Sequence, residues 1–202
     1  MNGMNDMADV DLVKIVVICS GNICRSPMAE ALLAHDLAVR GVSARVTSVG
    51  TLDLDSPADP LAVQVVAERG IDISPHRSHV MTEQSLTGAD LVIGMAREHV
   101  RAAALVDPSV YARAFTLREL VRRAQSSGGP ARGEPVWSWG VHLTADRRFT
   151  DLLGDSPVDD IEDPIGQNIE FFRFVAAEIA GLSAALAVTI AAGRSVDADR
   201  RA

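Results

Sequence analysis

The chain has 202 residues, 48% of them hydrophobic and 23% charged, with a formal net charge of −8. That length suits one domain with a sizeable core and room for an insertion. Two cysteines exclude a disulfide-built scaffold and a cysteine-based structural zinc site, and the negative charge argues against nucleic acid or a membrane surface as partner. Lys14 is the only lysine among 19 basic residues, so an anionic ligand needs a local site built from arginine and backbone.

Residues 1–12 are short, acidic and rich in Met and Asn, with no basic or long apolar segment of a targeting signal; they read as a disordered leader, and the chain as cytoplasmic. Lys14 to Ile18 is an apolar β-branched run of the buried parallel-strand kind. Pro27 to Arg40 reads as an amphipathic helix, with Ser26 at the N-cap, Pro27 at the first helical position and Gly41 past the end. Ala44 to Val49 is a second strand, Asp59-Pro60 opens a helix through Arg69, and Thr82 to Leu86 is a short helix. Asp90 to Met95 is a third strand, Arg97 to Leu105 a helix, and Arg113 to Thr116 a brief fourth strand feeding a helix over Leu117 to Ala124.

An insertion at about 122–160 follows: a flexible Ser/Gly/Pro-rich loop from Gln125 to Pro135, the pair Trp137 and Trp139, a helix around Leu143 to Leu153, and an acidic run from Asp155 to Asp163. Phe171 to Gly193 is nearly all apolar, yet Val175, Ile179, Leu182, Leu186 and Ile190 form one helical stripe, the mark of a helix packed on a sheet rather than a membrane span. Residues 194–202 read as a flexible tail, and 13–193 as a single α/β domain whose parallel sheet is covered on both faces.

The chemistry lies between the first strand and first helix, in Cys19-Ser-Gly-Asn-Ile-Cys-Arg25-Ser-Pro27. Open α/β sheets bind ligands at such junctions, and the backbone N–H groups of Ser20 to Ser26, with the helix N-terminus, form a cradle for phosphate or another oxyanion. Gly21 and Asn22 tolerate the left-handed angles a loop curling round that anion needs, Ile23 and Cys24 complete the curl, and Arg25 can grip two oxygens with its planar fork. The same positive field favours the thiolate of Cys19, in line to attack phosphorus, and Ser26 can donate to it as it departs. Cys24 has two readings: a small packing residue, or a redox partner that closes a reversible disulfide with Cys19.

Val17 to Glu30 resembles the signature of the low-molecular-weight protein tyrosine phosphatases. The resemblance continues in Thr47-Ser-Val-Gly-Thr51, Pro57-Ala-Asp-Pro60, Gly70-Ile-Asp-Ile-Ser-Pro-His76 and Asp90-Leu-Val-Ile-Gly-Met95, then at Asp163-Pro164. It implies a three-layer sandwich with a four-stranded parallel sheet, a cysteinyl-phosphate intermediate, no cofactor and no metal. It also implies that Asn22, Ser48 and His76 support the loop from behind, and that substrates are phosphorylated proteins or small phosphomonoesters.

Hydrolysis of a phosphomonoester needs an acid for the leaving oxygen, then a base for water. Three Asp-Pro pairs compete: Asp59 reads as a helix N-cap, Asp107 as a turn, and Asp163 lies where the resembling family carries its acid, with Asp159, Asp160 and Glu162 as possible tuners. The aromatics that flank the pocket in phosphotyrosine-specific members are Ile165-Gly166 and Leu52-Asp53-Leu54 here, so Trp137 and Trp139 are weighed as a substitute wall against a packing role. Two other readings stand beside hydrolysis: an arsenate reductase borrowing an external thiol, and a catalytically silent phosphate-binding module. The oligomeric state is not legible.

Overall fold

The computed structural model describes residues 12–194, so the leader and most of the tail expected from the sequence lie outside the described residues. Four parallel strands, β1 (Val13–Cys19), β2 (Ala44–Gly50), β3 (Leu91–Gly94) and β4 (Ala114–Thr116), form one sheet in the order β2-β1-β3-β4. The order reverses direction between β1 and β3, so the segment leaving β1 sits at the topological switch point where such sheets hold ligands. Register aligns Cys19 with Gly50 and Ile18 with Gly94, which brings the ends of β1, β2 and β3 together.

Alternation along β1 explains the layers. Val13, Ile15, Val17 and Cys19 enter a core with α1 (Arg25–Val39), α2 (Pro60–Ala67), α5 (Leu117–Ser127) and α7 (Ile169–Arg194), while Val16 and Ile18 enter a second core with α3 (Glu83–Leu86) and α4 (Arg97–Val106). The three-layer architecture is therefore as the resemblance implied. The last helix is long and apolar enough to cross a membrane by length and composition. Yet its Phe172, Val175, Ile179, Leu186 and Ile190 are buried in the first core, each contributing ~1.5–3 kcal/mol relative to exposure.

Several expectations shift. The first helix begins at Arg25, with Cys24 at its N-cap and no side-chain cap, rather than at Pro27 behind a Ser26 cap. Ser26 is engaged elsewhere, and an uncapped first turn keeps N–H groups free for an anion. Gln125 to Ser127 continue α5, and the loop after them is tethered, since Trp139 donates its indole N–H to the Gly128 carbonyl at 3.0 Å. The helical part of this stretch is α6 (Val136–Leu143), with a 3₁₀ turn at Phe149–Leu152 in place of a helix over Leu143 to Leu153.

Arg147 locks the stretch down. Its guanidinium is buried over the Tyr111 ring, 4.6 Å from the centroid, and donates to the Ala114 and Tyr111 carbonyls. Gly140 of α6 faces Leu91 and Arg113, at the edge of the sheet where β3 and β4 begin. Trp139 is thus a packing anchor, buried in the first core, while Trp137 on the same helix is half exposed to solvent.

Candidate active site

Asn22 organises the loop. Its φ is +53°, the left-handed region the sequence anticipated, whereas Gly21 is not among the positive-φ glycines. Gly21 serves by lacking a side chain: a Cβ there would meet Leu54 Cδ1 at 3.0 Å. Asn22 is fully buried, and its polar groups are all used. Its backbone N–H donates to Cys19 Sγ at 3.2 Å, and its carbonyl accepts from His76 Nε2 at 2.8 Å. Nδ2 donates to Ser26 Oγ at 2.9 Å and Ser48 Oγ at 2.8 Å, while Oδ1 accepts from the His79 N–H at 2.9 Å.

These bonds fix the direction of every proton behind the loop. Ser48 donates to the Glu30 carboxylate, so its oxygen is free to accept from Asn22. Ser26 accepts from Asn22 as well, which leaves its own proton for Cys19 Sγ, 3.0 Å away. The Cys19 sulfur therefore receives two donors and borders the cavity. Glu30 sets the polarity of this relay, and composition offered no signal for it. Ser26 and Glu30 lie four apart on α1, a spacing that places both on one face.

Arg25 is buried in the first turn of α1. Nη1 donates to the Ile161 carbonyl at 3.1 Å, Nη2 pairs with the Asp163 carboxylate, and Nε is buried without a partner among the described residues. An unsatisfied guanidinium N–H beside a ring of loop N–H groups is what an incoming oxyanion would satisfy.

Asp163 reaches this point because the segment before it is pinned by arginines. Arg97 and Arg101 of α4 donate to the Asp151, Leu152 and Gly154 carbonyls, Arg118 of α5 to those of Pro157 and Asp160, and Arg122 pairs with Asp159. The Ile161 N–H then bonds the Met95 carbonyl at 2.8 Å, at the end of β3. Asp159 and Asp160 thus face arginines and backbone donors rather than Asp163, so the expected tuning by these neighbours is not the arrangement observed. The competing aspartates are capping groups: Asp59 accepts from the Leu61 N–H at 2.8 Å, and Asp107 from that of Ser109 at 2.9 Å.

The cavity holds about 160 Å³ and is lined by Cys19, Ser20, Gly21, Ile23, Cys24, Arg25 and Asp163, with Leu52, Leu54 and Ile165 at its rim. The three rim residues are 52%, 43% and 49% exposed, so apolar side chains stand open to solvent round a polar floor. Aliphatic walls replace the aromatic ones. Cys24 is buried, and burial first, with Asp59, Cys19 and Asp163 adding to it, pushes its thiol well above the ordinary range.

His99 was missed by sequence reasoning. It lies on α4, 79 positions after Ser20, and its Nε2 is 3.0 Å from Ser20 Oγ.

The profile of the family described as low molecular weight phosphotyrosine protein phosphatase matches residues 14–129. The chain is 44% identical over 106 residues to a probable low molecular weight protein-tyrosine-phosphatase, EpsP, of Ralstonia solanacearum, covering 52% of this chain and 71% of that protein. It is 36% identical over 108 residues to a protein-arginine-phosphatase of Bacillus subtilis, covering 53% and 71%. The crystal structure of a low molecular weight protein tyrosine phosphatase from T. tengcongensis superposes with a TM-score of 0.66 at 30% identity, over 86% of this chain and 97% of that one.

Proposed function

Because the chain belongs to the low molecular weight phosphotyrosine protein phosphatase family and is a phosphoric monoester hydrolase, we propose that Cys19 is its nucleophile, Arg25 its phosphate clamp and Asp163 its general acid and base. The observation that carries the assignment is the sulfur of Cys19 receiving hydrogen bonds from the Asn22 N–H and Ser26 Oγ, in a cavity shared with the Arg25–Asp163 pair.

The phosphate dianion lies against the N–H groups of Ser20 to Ser26 and takes Arg25 from Asp163, whose carboxylate, released and now facing the dianion, takes up a proton from solvent. Cys19 Sγ attacks phosphorus, the S–P bond forms, the P–O bond to the leaving group breaks, and Asp163 gives that oxygen its proton. Asp163, now a carboxylate, removes a proton from water as the water oxygen attacks the phosphocysteine. The S–P electron pair returns to Cys19, where Ser26 and Asn22 donate to the departing thiolate. Asn22, Ser48 and His76 hold the loop in shape throughout.

The substrate we propose is a phosphotyrosine side chain, its ring held between Leu52, Leu54 and Ile165 by apolar contact. A phosphotyrosine peptide and p-nitrophenyl phosphate should both be hydrolysed, and Cys19→Ser should abolish both reactions; retained turnover would refute the assignment. Turnover of a phosphoarginine peptide with a higher kcat/KM would move the reading to the chemistry named for the Bacillus relative.

Arsenate reduction is not favoured: the relatives are named phosphatases, and the only other cysteine is Cys24, a buried thiol in the same loop. A redox guard remains part of the reading, in which peroxide oxidises Cys19 to a sulfenic acid and Cys24 condenses with it, releasing water and closing a disulfide. The setting we propose is the cytoplasm, with neither nucleic acid nor membrane as partner.

A further inference from the structure

Ser20 is the first residue of the loop, and its side chain borders the cavity beside Cys19 and Arg25. Its hydroxyl oxygen has one side-chain neighbour within hydrogen-bond distance among the described residues, His99 Nε2 at 3.0 Å. The roles in that bond are settled at the other end of the ring. His99 Nδ1 accepts the N–H of Ala96 at 3.0 Å, so it carries no proton, and the neutral imidazole must bear its hydrogen on Nε2. Ser20 Oγ is then the acceptor, and its own proton is left without a protein acceptor.

His99 is 1% exposed, and burial, with Arg25 and Arg101 nearby, holds it down to about 3. The ring is therefore neutral across any working pH. The Glu98 carboxylate approaches the same Nε2 to 3.4 Å from an exposed position, which is longer than the bond to Ser20.

We propose that His99 is a positioning residue: by donating to Ser20 Oγ it turns the Ser20 hydroxyl proton toward a phosphoryl oxygen in the cavity. The inference rests on the reading of the loop as a phosphate cradle. A merely structural His99 would cap the first turn of α4 through Nδ1 and leave Ser20 indifferent. The two ring nitrogens let the roles be separated. His99→Asn keeps an acceptor near the position of Nδ1 for the Ala96 N–H but is too short to reach Ser20.

A double-mutant cycle on p-nitrophenyl phosphate tests this. His99→Asn and Ser20→Ala should each lower kcat/KM about five- to tenfold, the size of one lost hydrogen bond, and the double variant should lose no more than either alone. Equal losses from His99→Asn with and without Ser20, or no loss at all, would overturn the proposal.

Wild-type protein labelled with ¹⁵N gives a readout that needs no variant. The His99 ring should show a single Nε2–H tautomer that does not titrate between about pH 5 and 8, and its Nε2–H signal should shift when vanadate saturates the site. A titrating ring, or one blind to vanadate, contradicts the assignment. Inhibition by vanadate and the inactivity of Cys19→Ser test the phosphate cradle separately. If those two fail, the functional reading has failed and the role of His99 falls with it, whereas their success with an additive cycle refutes His99 alone.

Discussion

Replacing Asp163 by Asn moves two observables in opposite directions. In the resting site its carboxylate pairs with Arg25, and the two side chains are 40% and 5% exposed. An incoming phosphate must take Arg25 away from that carboxylate and then bind beside it. Two unit charges in contact at an effective dielectric near 20 attract by about 4 kcal/mol. Solvent at the half-open carboxylate reduces this to roughly 1–2 kcal/mol. Asp163→Asn removes both the competitor and the like charge, so inorganic phosphate and vanadate should inhibit about 5- to 30-fold more tightly. The same change removes the proton donor, and kcat should fall by about 10²–10⁴, more for an alkyl phosphate than for p-nitrophenyl phosphate. Steady-state kinetics with both substrates and a phosphate inhibition constant read all three effects. Unchanged or weaker inhibition, or equal losses on both leaving groups, would refute the reasoning.

Other outcomes follow from single contacts. A methyl group at Gly50 would stand 2.8 Å from the Ser20 carbonyl and 3.2 Å from the Asn22 nitrogen, so Gly50→Ala should cost at least about tenfold in kcat/KM, while the thermal midpoint moves by only a few degrees. Peroxide-treated wild type should recover with dithiothreitol, whereas Cys24→Ser should over-oxidise and stay inactive; equal recovery would assign Cys24 to packing. Burial raises the pKa of Asp90 against the opposing hydrogen bond from the Lys14 N–H. A raised folded-state value means its contribution is complete below the ordinary 3.8 and is lost as pH rises through the raised one. Asp90→Asn, which keeps an acceptor, should therefore be more stable than wild type at pH 7 and gain least near pH 3.5, measured by urea unfolding.

Local pattern carried the parts of the site that are contiguous. Strand, loop and helix from Lys14 to Arg40 were readable because apolar period, loop chemistry and helix breaker agree within one stretch. The helix start slipped by two residues because Ser26, a good cap by type, spends its hydroxyl on Cys19. Asp163 was chosen among three Asp-Pro pairs with the help of a resemblance, and only the fold shows why it reaches Arg25: four arginines on α4 and α5 pin the chain before it. His99 left no trace in the pattern, and Glu30 closed the resembling signature without showing its role, because their partners are 79 and 18 positions away and a lone ionisable residue on a helix has no periodicity. For the tryptophans the sequence left a substrate wall and a packing anchor side by side, because the stretch before Asp163 has no pattern that says which way it faces; Trp139 is in the core, and neither tryptophan lines the cavity of Cys19.

The proposed mechanism turns on a covalent bond between Cys19 and phosphorus. Mixing the protein with excess p-nitrophenyl phosphate, quenching in acid within the first turnovers and mapping the peptides by mass tests it directly. One added phosphoryl group should appear on the peptide that carries Cys19, be absent from Cys19→Ser and accumulate further in Asp163→Asn, where the water is no longer activated. Steady turnover with no phosphoryl group on that peptide, or retained turnover in Cys19→Ser, would contradict it.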